Sequence, residues 1–194
     1  MFKRNQKRST QGAGAKLSID VAAHADVVWK ILIDVESNER LHRNCAGVKN
    51  LNPKRSLNPV EPGAKYHDKR IFQGTAYEFV NHVTEVDHTR RRFSEATSVN
   101  HCTCTSTIWI DELENGGCRL FGSAGMIPDG LLGKFYFWRK GHTMEADGYA
   151  AMMMDLEDIK HMAEHGTFKT NDSEPITESS SSNATDLLGS RRSA

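Results

Sequence analysis

The chain has 194 residues, enough for one domain with additional tails. Its 25 Lys and Arg balance 25 Asp and Glu, so net charge makes no case for a polyanion and no nucleic-acid partner is expected. No apolar run approaches the roughly 18 residues that a spanning helix needs, which excludes an integral helical membrane segment and leaves only transient membrane contact.

Residues 1–14 carry Lys3, Arg4, Lys7 and Arg8 without an acid. They read as a disordered basic tail, although an acid-poor basic start also fits a short organelle-targeting segment. Residues 16–21 alternate Leu17, Ile19 and Val21 with Lys16, Ser18 and Asp20, the pattern of a half-buried strand. Residues 25–35 follow as a helix with Val28, Leu32 and Val35 on one stripe, and residues 38–44 as a second short helix. Pro53, Pro59, Pro62 and Gly63 mark a loop.

Strands then come in quick succession over 65–72, 75–86, 92–98, 102–113 and 118–127. They are separated by Gly74, a polar turn at 87–91, a turn near Asn100 and the hairpin signal Asn115-Gly116-Gly117. Such short turns imply an antiparallel meander. From Pro128 no proline recurs until Pro175. Asp129 is suited to N-cap a helix and Gly166 to end it in a left-handed conformation, giving a helix of about 50 Å over 131–164. One face reads Leu131, Phe135, Trp138, His142, Glu145, Tyr149, Met152, Leu156, Ile159, apolar at both ends and polar in the middle. Gly141 and Gly148 beside it suggest space. Residues 167–194, with Ser179 to Ser182 in one run, are too polar to order themselves. The folded unit is therefore expected at 15–166. Cys45, Cys102, Cys104 and Cys118, with no secretory signal, read as reduced thiols of a cytoplasmic protein.

The expected class is α+β: a curved antiparallel sheet of about seven strands wrapped around a long C-terminal helix, with two short helices after the first strand. Candidate chemistry lies on the inner faces. His142 and Glu145 are neighbours on the helix, facing either the interior or its solvent edge. Tyr149 could wall a pocket or simply fill the core, and Met152 extends the stripe. Tyr66, Asp68, Arg70 and Phe72 share a strand face. If that face is buried, Arg70 needs an acid from Asp68, Glu95 or Glu145; otherwise it sits at the rim. Glu95 shares a face with Phe93. His101 points away from Cys102 and Cys104 on an extended strand, so no metal site is expected. The Arg90-Arg91-Arg92 turn reads as solvated.

Several segments resemble one superfamily. The run from Ser18 through Leu32 is similar to a first strand followed by an "A-x-x-V-W-x-L-L" helix. Asp34 with Glu36 to Asn38 resembles a "D-x-E" link, with Leu41 or His42 near the place of its tryptophan. Pro62-Gly63-Ala64-Lys65-Tyr66 is similar to "P-G-x-x-Y", the segment from Val86 to Phe93 to a "D-P-x-R" turn without its proline, and Gly116-Gly117-Cys118-Arg119-Leu120 to "G-G-T-R-L". Leu131-Leu132-Gly133-Lys134 resembles the start of a terminal helix. Together they resemble the START-like, helix-grip (SRPBCC) proteins, the polyketide cyclase/dehydrase and lipid-transport group that includes the Bet v 1-like plant proteins.

The resemblance implies a hydrophobic cavity between sheet and terminal helix that holds a lipid, polyketide, steroid or quinone-like molecule, without a cofactor. On that basis Tyr66, Arg70, Glu95, Trp138, His142, Glu145, Tyr149 and Met152 are expected to contact a small hydrophobic ligand. Carriage of that ligand is the leading expectation. A cofactor-independent cyclase or dehydratase using the polar residues, and a protein-docking module, remain alternatives. Oligomeric state is left open.

Overall fold

The structure, a computed structural model, describes residues 14–166 apart from 73 and 100, and apart from the side chains of 14, 15 and 140–145. The two expected tails thus lie outside the described residues, except that Gly14 already belongs to the first strand. The side chains of His142 and Glu145 lie outside them too.

The elements in order are β1 (Gly14–Val21), α1 (Ala25–Leu32), a single 3-10 turn (Val35–Ser37), α2 (Asn38–Leu41), β2 (Cys45–Asn50), β3 (Lys65–Phe72), β4 (Thr75–Asp87), β5 (Arg92–Val99), β6 (Cys102–Glu112), β7 (Cys118–Pro128) and α3 (Gly130–His165). The seven strands form one antiparallel sheet in the order β1-β7-β6-β5-β4-β3-β2. Consecutive strands from β2 to β7 are neighbours, joined by short turns except for the 51–64 loop between β2 and β3, and β1 closes onto β7 after the chain has gone round. β2 was not located from the sequence: residues 38–44 were read as helix and nothing was placed at 45–50.

The inner face of the sheet follows from period-2 alternation through the pairing register. It runs from Tyr66, Asp68 and Arg70 on β3, through Asn81 and Val83 on β4, Phe93 and Glu95 on β5, Ser106, Ile108 and Ile110 on β6, and Leu120 and Gly122 on β7, to Leu17 and Val21 on β1. α1 adds Val28, Trp29 and Leu32, and α3 adds Met152, Leu156 and Ile159. The outer face is finished by smaller contacts. Trp109 and Phe121 stack at 5.0 Å with Lys16 above them, and Ser94 bonds Glu85.

α3 spans 36 residues, about 54 Å at 1.5 Å per residue. Gly166 ends it with φ +68°, its N–H donating to the Met162 carbonyl. Asp129 occupies the N-cap position, yet its carboxylate makes no capping bond and instead accepts from Thr103 Oγ1 at 3.1 Å. The continuous inward stripe expected along this helix needs correction. Met152, Leu156 and Ile159 are buried, whereas Leu131, Phe135, Trp138 and Tyr149 are exposed. Positions 131, 138, 145, 152 and 159 form a strict seven-residue repeat. On a straight helix such a repeat drifts about 20° per heptad, roughly 80° over this length. The first half therefore turns its apolar residues outward and presses Gly133 against the sheet.

Candidate functional site

The inner face holds a cluster of polar side chains where β3, the α2–β2 connection and the second half of α3 converge. Arg70, 9% exposed, lies at its centre. Its Nε donates to Asp68 Oδ2 at 2.8 Å, and its Nη1 to Asn44 Oδ1 at 2.8 Å and Asp155 Oδ1 at 3.0 Å. Buried cations persist only with this kind of pairing. Burial opposes the charge, but the Asp155 and Asp68 carboxylates together more than offset that and raise the guanidinium pKa. Asp68 is one of the three acids that the sequence offers as partners. Asp155 was not foreseen.

His42 is buried at the end of α2, with Nδ1 3.2 Å from Asp155 Oδ1 and 3.9 Å from Asp158 Oδ2. Desolvation lowers its pKa despite these carboxylates, helped by the Arg70 charge. His42 Nδ1 and Asn44 Nδ2 are buried without a hydrogen-bond partner among the described residues. Asp158 is held from outside: Arg43 donates its backbone N–H at 3.0 Å and its Nε at 2.6 Å. Burial pushes the Cys45 thiol up to about 12, and it lies 3.4 Å from Asp68 Oδ1.

Beside this network, the Tyr66 hydroxyl donates to Glu95 Oε2 across β4. Burial raises the Glu95 carboxyl to about 7, although the Tyr66 bond and the Arg70 charge pull it down. Burial likewise lifts the Tyr66 phenol well above its ordinary value. The pair can thus offer a hydroxyl and a carboxyl that changes protonation near neutrality.

The inner face differs along its length. Phe93, Ile108, Ile110 and Leu120 are buried in one core with Met152 and Leu156, α1 packing on β6 and α3 on β7 and β1. The contact is close: a Cβ on Gly122 would lie 2.7 Å from Met152 Sδ. Farther along the same strands Glu95, Thr97, Cys104, Ser106, Ala124 and Met126 are only half-buried. A Cβ on Gly148 of α3 would meet nothing within 4 Å.

Tyr66, Arg70 and Glu95 are thus gathered on one inner surface, with Met152 at its sealed end. Trp138 and Tyr149 are not gathered there, being 79% and 49% exposed. Sequence reasoning missed His42, Asn44, Asp155 and Asp158. The available signal was two acids flanking Leu156 on the apolar stretch of α3. The Arg90–Arg92 turn borders a separate open groove of about 520 Å³ with Trp109, Asp111 and Glu112. Arg91 pairs there with Asp26 and Glu112, and Arg92 with Glu85.

No protein-family model matches this chain, and no curated protein matches it either. Solved structures do match at low identity. A START superfamily protein from Mycobacterium smegmatis is 13% identical, covering 79% of this chain and 99% of its own, with TM-score 0.61. The Zhui aromatase/cyclase from Streptomyces sp. R1128 is 16% identical over 79% of this chain and 94% of its own, with TM-score 0.64. The major latex-like protein 151 from Panax ginseng is 8% identical over 79% and 98%, with TM-score 0.60. With its seven-stranded antiparallel sheet and long C-terminal helix, the chain has the START-type helix-grip fold of these structures.

Proposed function

We propose that the protein binds a small, mainly hydrophobic ligand of lipid, polyketide, steroid or quinone-like character between sheet and α3, for transport or presentation. One observation carries this reading: the same inner strand faces are sealed at the Met152–Leu156 end and half-accessible where Glu95 sits. Apolar and small side chains there favour a hydrophobic body. The Tyr66–Glu95 pair would anchor one hydroxyl or carbonyl of it, with Arg70 fixed behind by Asp68, Asn44 and Asp155. His142 and Glu145 remain proposed polar contacts of the ligand. Residues 14–166 would constitute the binding unit.

A second reading has its own support. A carboxyl at about 7, bonded to a phenol, suits general acid–base work near neutrality, and one neighbour in fold is an aromatase/cyclase. Under that reading Glu95 would move a proton to or from a bound polyketide-like substrate.

The pair of probes 2-naphthol and naphthalene tests the anchor. Wild type should prefer the phenol, and Glu95→Gln should reduce that preference by about 3–10-fold while naphthalene affinity holds. An unchanged preference, or no binding of either probe, would sink the proposed anchor. Native mass spectrometry of the protein from its source, followed by a turnover assay on the ligand found, separates carriage from catalysis.

A further inference from the structure

The first half of α3 carries a second surface, independent of the ligand reading. Leu131, Leu132, Phe135 and Trp138 share one helix face. All are exposed, Leu131 by 85%. The Phe135 and Trp138 rings lie 6.1 Å apart, and Ile127 at the end of β7 adds another exposed apolar side chain. Scattered apolar residues on a surface are ordinary, but a contiguous aromatic and aliphatic face is not. This face is held outward by the backbone. Gly133, on the opposite side of the same turns, sits so close to β6 that a Cβ would lie 2.2 Å from the His101 carbonyl oxygen. The Asp129 N–H donates to that same oxygen at 2.7 Å. Rolling the apolar face inward would drive side chains into this contact.

The charge around the face selects its partner. Residues 130–144 contain Lys134, Arg139 and Lys140 and no Asp or Glu, and Lys134 and Arg139 are exposed beside the apolar residues. Leu, Phe and Trp on one face with cations at its border, the nearest acids in sequence being Asp129 and Glu145 at the two ends of the stretch, are the make-up of helices that lie in a membrane interface. Trp is the side chain favoured at headgroup depth, and the cations complement anionic lipid. We propose that this half of α3 docks on the surface of an anionic phospholipid bilayer, burying Leu131, Leu132, Phe135 and Trp138 among the headgroups and upper acyl chains. The half-accessible inner face of the sheet would then lie beside the lipid.

The full chain should co-sediment with phosphatidylcholine vesicles containing about 30% phosphatidylserine and much less with pure phosphatidylcholine, and added salt should weaken the association. The double substitution Phe135→Ser/Trp138→Ser should lower vesicle affinity about tenfold or more, leaving the melting temperature unchanged because both side chains are exposed. Should that variant fold poorly, quenching of wild-type tryptophan emission by brominated lipids decides. Trp29 is buried, whereas Trp109 is half-buried and lines the open groove, so quenching that persists in Trp109→Phe reports Trp138. The proposal is overturned by absence of binding to anionic vesicles, by binding that survives the double substitution, or by absence of quenching. It is also overturned if the face proves to be a contact between two copies, so that the substitution converts a dimer to a monomer with no vesicle binding in either form.

Discussion

The two halves of α3 belong to one helix and stand in opposite relations to the sheet. In the second half Leu156 and Ile159 are fully buried, Asp155 reaches the buried pair Arg70 and His42, and Asp158 accepts from the exposed Arg43. In the first half comparable side chains, Leu131, Phe135 and Trp138, point to solvent, and the contact with the sheet is made by a glycine. Apolar content is therefore a poor guide to which side of a long helix is buried. What decides is where the backbone touches, and at Gly133 it touches a carbonyl oxygen.

This contrast makes graded predictions. The largest effect belongs to the sealed half: Leu156→Ala should cost about 2–5 kcal/mol in denaturant melts, while Leu131→Ala should stay within about 0.5 kcal/mol. Equal costs at the two positions would erase the distinction between the halves.

Next comes the open half of the inner face. The folded Glu95 carboxyl lies at about 7 against an ordinary 4.5, so between those values the folded state binds more protons than the unfolded one. Its stabilising contribution is complete below about pH 4.5 and is lost as pH rises through about 7. His42, whose pKa is lowered by burial, acts the other way, its contribution being lost as pH falls below its ordinary value. The difference between wild type and Glu95→Gln cancels the His42 part. That difference should change between about pH 5 and pH 8 by on the order of 2 kcal/mol, the partial accessibility of Glu95 trimming the full value. A flat difference curve would mean that Glu95 is well hydrated.

The smallest effects compare two glycines. Gly133→Ala would press a methyl onto the His101 carbonyl and should cost about 1–3 kcal/mol. Gly122→Ala would meet Met152 Sδ and Cγ at 2.7 and 2.9 Å and Leu156 Cδ1 at 3.3 Å, side chains rather than backbone, and should cost less than Gly133→Ala. The reverse order would show that the helix start can shift while its second half cannot.

Much of the fold was legible because it depends on local pattern. Period-2 alternation located β1, turn signals between short runs located β3 to β7, and Gly166 marked a helix end. β2 was not legible. Cys45–Asn50 reads CAGVKN, is short, occupies a sheet edge and shifts register between Cys45 and Gly47, so neither β-branched content nor clean alternation announces it. The site was half legible for the same reason. Tyr66, Asp68 and Arg70 share a strand face that alternation exposes. Arg70 and Asp155 are 85 residues apart, and Arg43 and Asp158 are 115 apart; no periodicity links such pairs. The Tyr66–Glu95 bond likewise needed the register of β3, β4 and β5.

The bonds at the end of α3 also bear on how the chain reaches its folded state. β1 and β2 are the two edges of the sheet, and the last turns of α3 reach the connection beyond each. Glu164 accepts the Ala22 N–H next to β1, across 142 residues, and Asp158 accepts from Arg43 next to β2. Pairings so distant in sequence form late, because the loop they close costs entropy before any contact rewards it. During synthesis, every strand leaves the ribosome before the helix that covers the inner face. Until residues 152–164 arrive, the inner faces of β7 and β1 lack the cover of α3. The nascent sheet is then an uncovered apolar surface with two unpaired edges, the condition in which chains associate with one another or with chaperones. For this protein, successful maturation depends on how quickly α3 docks.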